Sequence, residues 1–237
     1  FEEFYNFVQN NDFSDSSQIE IIEKYVDVDN LIDYISLQNY AANIDWGSVN
    51  IKFWQSEELD SKWRWIMHDL DQTFPVDLGP SVNILGDLLQ SGSRIGVIFE
   101  KFTKNVNFRN RFINRTADLL NTGLRNTNAI KVFDSLANQI TNDVPKHNQR
   151  WQNSAVNFEN ECLRLKEFLH HRNNFIYSQF IEMFKLDGTY ELHIENPDTS
   201  TGYIQINSIT IKENDWTGVY FKDLPISIKA VAKPGFT

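Results

Sequence analysis

The sequence predicts an α+β fold on three observations. Apolar residues recur with helical spacing from Phe1 to about Leu186, the spacing drops to two from about Asp187 onward, and one aromatic-rich alternating stretch interrupts the helical part near residues 51–67. On this reading residues 1–186 form a mainly helical unit containing a β-hairpin, and residues 187–237 a small antiparallel, β-sandwich-like domain.

Taken in order, Phe1, Phe4, Tyr5 and Val8 already mark the buried face of a helix, as if the chain began inside a domain. Asp29 is placed to cap a helix whose stripe is Leu31, Ile32, Ile35 and Tyr40, ending before the turn Asp45-Trp46-Gly47. Ile51 to Trp54 and Lys62 to Met67 alternate apolar with polar around a polar connection, the pattern of a hairpin. Further helices are expected at about 82–90, 95–104, 108–121, 127–139, 142–151 and 155–184, with Pro145 near a helix start where its missing N–H is harmless. Strands follow around Tyr190, Leu192 and Ile194, around Ile204 and Ile206, and from Ile226 to Ala232, with turns at Asn196-Pro197 and Gly202.

Composition narrows the function. The 237 residues are 41% hydrophobic and 14% aromatic, enough for a large core, and 32 acidic against 22 basic residues leave a net charge of −10. That charge repels a phosphate backbone and disfavours a nucleic-acid partner. No apolar run approaches the roughly 20 residues of a membrane-spanning helix, and no signal peptide is visible. The lone Cys162 and the five histidines offer no zinc-ligand spacing.

The hairpin makes a specific prediction. Antiparallel pairing sets its strands about 4.8 Å apart and puts the start of the first beside the end of the second. Asn50 and Asp69 therefore share the open end, with Asp45 and Asp71 close by. Carboxylates at short range repel unless a cation compensates, and carboxylates plus an amide oxygen suit Mg²⁺ with phosphates completing its shell. That is the equipment of phosphoryl transfer, in which one carboxylate orients the attacking hydroxyl and the others hold metal. Asp and Asn also collect at hairpin ends because turns favour them, so spacing leaves a structural reading open. The offset Asp45-x-x-x-x-Asn50 equals that of a kinase catalytic loop, and Asp69-Leu70-Asp71 follows where kinases place a metal-binding Asp.

The runs Asn43-Ile44-Asp45-Trp46-Gly47, Asn50-Ile51-Lys52-Phe53-Trp54 and Lys62-Trp63-Arg64-Trp65-Ile66-Met67-His68-Asp69-Leu70-Asp71-Gln72-Thr73-Phe74 strongly resemble the spore coat protein H (CotH) kinase family. Arg111 to Arg115, Asp118 to Thr122, Pro145 to His147 and Arg150-Trp151 are similar to its helical C-lobe, so the resemblance covers about residues 20 to 185. It implies an atypical protein kinase moving phosphate from ATP to Ser or Thr of a protein, with Mg²⁺ or Mn²⁺, at a bacterial surface, in secretions or in a spore coat. It makes Asp45 the catalytic base and Asn50 and Asp69 the metal and nucleotide ligands. Asp71 either assists the ion or fixes the turn by bonding backbone amides, the second being favoured.

One departure stands out. The first glycine is Gly47, already past Asp45, and no glycine loop or strand lysine to hold phosphates precedes it. The chain is therefore expected to lack the nucleotide-binding lobe and to show negligible kinase activity and weak ATP affinity alone. Asp69-x-Asp71-x-Thr73 also fits a haloacid dehalogenase-type phosphatase or, less well, a glycosyltransferase Asp-x-Asp, but those need a parallel βαβ context. A non-catalytic binding module is the remaining alternative. The tryptophans 46, 54, 63 and 65 read as hairpin packing, Arg94 to Arg115 as a solvated basic face, His170-His171 as a helix end, and Asn114-Arg115-Thr116 as a glycosylation sequon.

Overall fold

The computed structural model of the chain describes residues 1–47, 49–151 and 157–236. The α+β expectation holds. Helices α1 (Glu2–Asn10), α2 (Ile19–Tyr25) and α3 (Val28–Tyr40) precede a hairpin of β1 (Lys52–Trp54) and β2 (Arg64–Ile66). Then come α4 (Ile84–Gln90), α5 (Arg94–Thr103), α6 (Val106–Asn121), α7 (Asn126–Ile140), α8 (Val144–Trp151) and the long α9 (Phe158–Phe184). Strands β3 (Thr189–Glu195), β4 (Gly202–Ile206), β5 (Ile209–Ile211), β6 (Asp215–Phe221) and β7 (Ile228–Ala232) complete the order. The start expected for the last helix, residues 155–156, lies outside the described residues.

Most helix starts are capped by the residue types that cap best. Asn83, Ser93, Asn105 and Asn157 each accept a backbone N–H from the first turn of α4, α5, α6 and α9. The cap of α3 is Asp27, whose Oδ1 accepts from Asn30 N at 3.1 Å, and not Asp29, which sits inside the first turn. A single residue, Val28, separates the two aspartates, and the deciding factor is tertiary: Asp27 is also held by Arg64 Nε at 2.8 Å.

One continuous core runs through both parts of the chain. Phe112 stacks on Phe180 at 5.4 Å and Phe180 on Phe221 at 5.7 Å, carrying the helical core into β6. The strands pair as β3–β6 and as β5–β4–β7, all antiparallel. Strands β5 and β6 escaped the sequence reading. Gly218 interrupts the β6 pattern, and it leaves room for the Trp216 ring, which a Cβ there would displace. No helix among the described residues is long and apolar enough to cross a membrane.

Three surface readings are corrected. The basic residues between 94 and 115 are largely cross-braces: Arg111 bonds Glu23 and Asp29, Arg115 bonds Asp33, Arg94 bonds Glu2, and Lys101 donates to the carbonyls of Gln9 and Asn11. His170 and His171 lie in the middle of α9, whose apolar face continues to Phe180. The sequon falls within α6, where Thr116 is buried against Ser36 Oγ at 2.8 Å and Asn114 donates to Pro225 O.

Candidate active site

The hairpin is fixed to the helical body along the outer edge of β2. Trp63 N donates to Tyr25 O at 2.8 Å and Asp27 N to Trp63 O at 3.1 Å. Asn30 then pairs with Trp65 by side chain alone, Oδ1 accepting Trp65 N at 2.7 Å and Nδ2 donating to Trp65 O at 3.2 Å. Arg64 closes the far end with a two-pronged bond to Asp60 at 2.8 and 2.6 Å, which holds the Asp60 carboxyl down at about 2. A strand of three residues gains by this a rigidity that it could not have alone.

The register Lys52↔Ile66, Phe53↔Trp65, Trp54↔Arg64 puts Asn50 and Asp69 at the open end, as expected. Both have left-handed backbones, with φ of 57° and 53°. Such conformations are unusual outside glycine, and here they occur at two of the residues singled out for chemistry. Asn50 Nδ2 donates to Asp45 Oδ2 at 2.8 Å, so these two candidates meet directly. The Asp45 backbone is set in turn by Asn43, whose Oδ1 accepts Asp45 N at 3.2 Å while its Nδ2 donates to buried Gln38. Trp46 is buried and donates Nε1 to the Tyr34 hydroxyl at 2.8 Å.

Asp69 and Asp71 are exposed, and the segment carrying them returns to the Asp45 loop through the main chain. Ile44 N donates to Gln72 O at 3.3 Å and Phe74 N to Ala41 O at 2.6 Å. Thr73 closes the intervening turn with both N and Oγ1 on Leu70 O, whereas the Asp71 carboxylate accepts from Gln72 Nε2 at 3.5 Å. Among the described residues, no hydrogen bond links Asp69 or Asp71 to Asp45 or Asn50, and no three His, Cys, Asp or Glu side chains are grouped to hold a metal unaided. The donors present are all oxygens, one amide and up to two carboxylates. That set matches the way Mg²⁺ is held by one or two carboxylates with substrate phosphates, and does not match a closed protein cage.

Trp46 and Trp65 are core, and Trp63 packs edge-on against Phe1 and Phe53. Trp54 is more open, with Arg64 over its ring at 5.3 Å. The parallel strand required by a haloacid dehalogenase reading is absent at Asp69, which follows an antiparallel hairpin. Asn30, Asn43 and Arg172 were not picked out as supports by sequence reasoning. Asn43 had a signal, in the capping side chain two residues ahead of Asp45, whereas Asn30 and Arg172 had none.

Comparison with protein families finds a match to the model described as CotH kinase protein over residues 1–176. No curated protein and no solved structure matches the chain.

Proposed function

The chain belongs to the CotH kinase family, and from that premise we propose that residues 41–74 form the catalytic and metal-holding face of a protein kinase acting on Ser or Thr with ATP. The observation that carries the reading is the 2.8 Å bond from Asn50 Nδ2 to Asp45 Oδ2. It commits the amide nitrogen of Asn50 and turns Oδ1, a good ligand for a hard cation, to the remaining side. It also fixes the Asp45 rotamer and leaves Asp45 Oδ1 to accept the proton of a substrate hydroxyl. Asp69 supplies the principal carboxylate for the metal, and Asp71 assists from the adjoining turn. Bound Mg²⁺ would neutralise charge on the transferring phosphate.

Metal binding reads this site without requiring turnover. Titration of the chain with Mn²⁺, followed by electron paramagnetic resonance with and without ADP, should show a site lost in Asp69→Ala and weakened in Asn50→Ala. Equal Mn²⁺ uptake by the wild type and both variants would favour a non-catalytic scaffold.

A further inference from the structure

The strongest unassigned feature is a buried cation. Arg172, on α9, is 0% exposed and has no carboxylate partner among the described ion pairs. Its guanidinium instead donates to four carbonyls. Nε reaches Tyr40 O at 3.1 Å, Nη1 reaches Pro80 O at 2.6 Å and Val82 O at 2.7 Å, and Nη2 bonds Asn39 O. Burial pushes Arg172 down to about 10, which leaves it cationic at neutral pH.

We propose that Arg172 is the positioning residue of the candidate site, one guanidinium locking the Asp45 loop and the segment after Asp71 to each other. Asn39 and Tyr40 are the last residues of α3, from which the Asp45 loop emerges. Their carbonyls lie at the negative end of the helix dipole and need donors from outside the helix. Asn39 O also accepts Ala42 N, and the next carbonyl, Ala41 O, accepts Phe74 N, three residues beyond Asp71. Pro80 and Val82 end the stretch that Phe74 begins. Gln179, two turns along α9, adds a second brace by donating to Ser81 O at 2.9 Å. Phe168 supports the arrangement, lying 5.8 Å beneath the guanidinium and edge-on to Phe74 at 5.9 Å.

The chemistry explains why arginine is suited to this place. Four of its five N–H donors are used, in a planar fork that an ammonium cannot reproduce. Removing it would leave buried carbonyls unpaired on both segments, which would then relax separately. The consequence for metal binding rests on the function proposed above, whereas the locking itself does not.

Two measurements separate these claims. In Arg172→Lys and Arg172→Met, Mn²⁺ affinity should fall roughly ten- to a hundredfold, the range for lost outer supports of metal ligands. Amide hydrogen exchange at Ala42, Asn43 and Phe74 should quicken in both, while Val219 stays protected. Wild-type exchange at those three amides in a folded variant overturns the proposal. Quickened exchange in a chain that never binds Mn²⁺ supports the lock and refutes the metal site. Should both variants fail to fold, the wild type decides: Arg172 Nε–H, seen by nitrogen-15 NMR, should exchange far more slowly than that of exposed Arg150, and equal rates overturn the proposal.

Discussion

Asn121, on α6, pairs with the backbone of Val219 as a neighbouring strand would, Nδ2 donating to Val219 O at 2.7 Å and Oδ1 accepting Val219 N at 2.8 Å. Arg125 donates to Thr217 O and the Tyr177 hydroxyl to Val219 O on the same strand, so side chains from the helices cover the free edge of β6, and the C-terminal strands are joined to the helical body by polar bonds as well as by the phenylalanine stack. Replacing Asn121 with Ala removes both bonds and leaves the half-buried Val219 N–H unpaired, while its C=O keeps only the long bond from the Tyr177 hydroxyl at 3.4 Å. The expected loss is about 2 kcal/mol in urea unfolding, with no change in Mn²⁺ binding. A loss below the experimental error would show that water replaces the amide at no cost.

Asp118 lies one turn before Asn121 and is fully buried, accepting from Tyr220 OH at 2.8 Å and from Ser208 through both N and Oγ. Burial raises its carboxyl above the ordinary range, against the opposing pull of the Ser208 and Tyr220 bonds. The folded chain therefore holds this proton more tightly than the unfolded chain does. Its stabilising contribution is complete below the ordinary carboxylate value of about 4 and is lost as pH rises through the folded value. The stability of the wild type relative to Asp118→Asn should thus be greatest at the acid end and shrink as pH rises. An advantage that grows with pH would mean that the anion is the preferred buried form.

The two aspartates at the start of α3 should behave differently. Asp27→Ala removes the cap and the partner of Arg64, and should cost about 1–2 kcal/mol of unfolding free energy. Asp29 is exposed and meets Arg111 at the surface, so Asp29→Ala should change stability by under about 0.5 kcal/mol. Thermal melts of the two variants side by side would check the assignment, and the reverse ranking would contradict it.

Gly47 follows Asp45 by two residues with φ 102°, and a Cβ there would stand 3.1 Å from Leu88 Cδ1. Gly47→Ala should cost about 1–2 kcal/mol through backbone strain and loosen Mn²⁺ binding by shifting the Asp45–Asn50 loop. Unchanged stability would show that the loop accommodates the methyl group freely.

Much of the fold was legible because the relevant signals are periodic. The apolar stripes of α3, α5 and α6 and the alternation of β3 are local, repeated and tied to a buried or half-buried face, whereas in β7 the alternating residues Ile228, Ala230 and Ala232 lie exposed. The hairpin was legible for the same reason, and its antiparallel register follows from strand alternation and so brings Asn50 to the end where Asp69 emerges. The bond from Asn50 to Asp45 is also local, since five residues and a left-handed turn suffice to form it.

What escaped was mostly decided by groups far apart in sequence. Asp27 rather than Asp29 became the cap because Arg64 and the β2 edge arrive beside it. The basic run became a set of braces because α2 and α3 present acids to α6. Arg172 looks like one more polar residue on a long helix until folding brings the carbonyl end of α3 and the residues 80–82 against it. Periodicity in a sequence records which faces exclude water. Which donor meets which buried carbonyl depends on how those faces are assembled, and no spacing along the chain encodes that meeting.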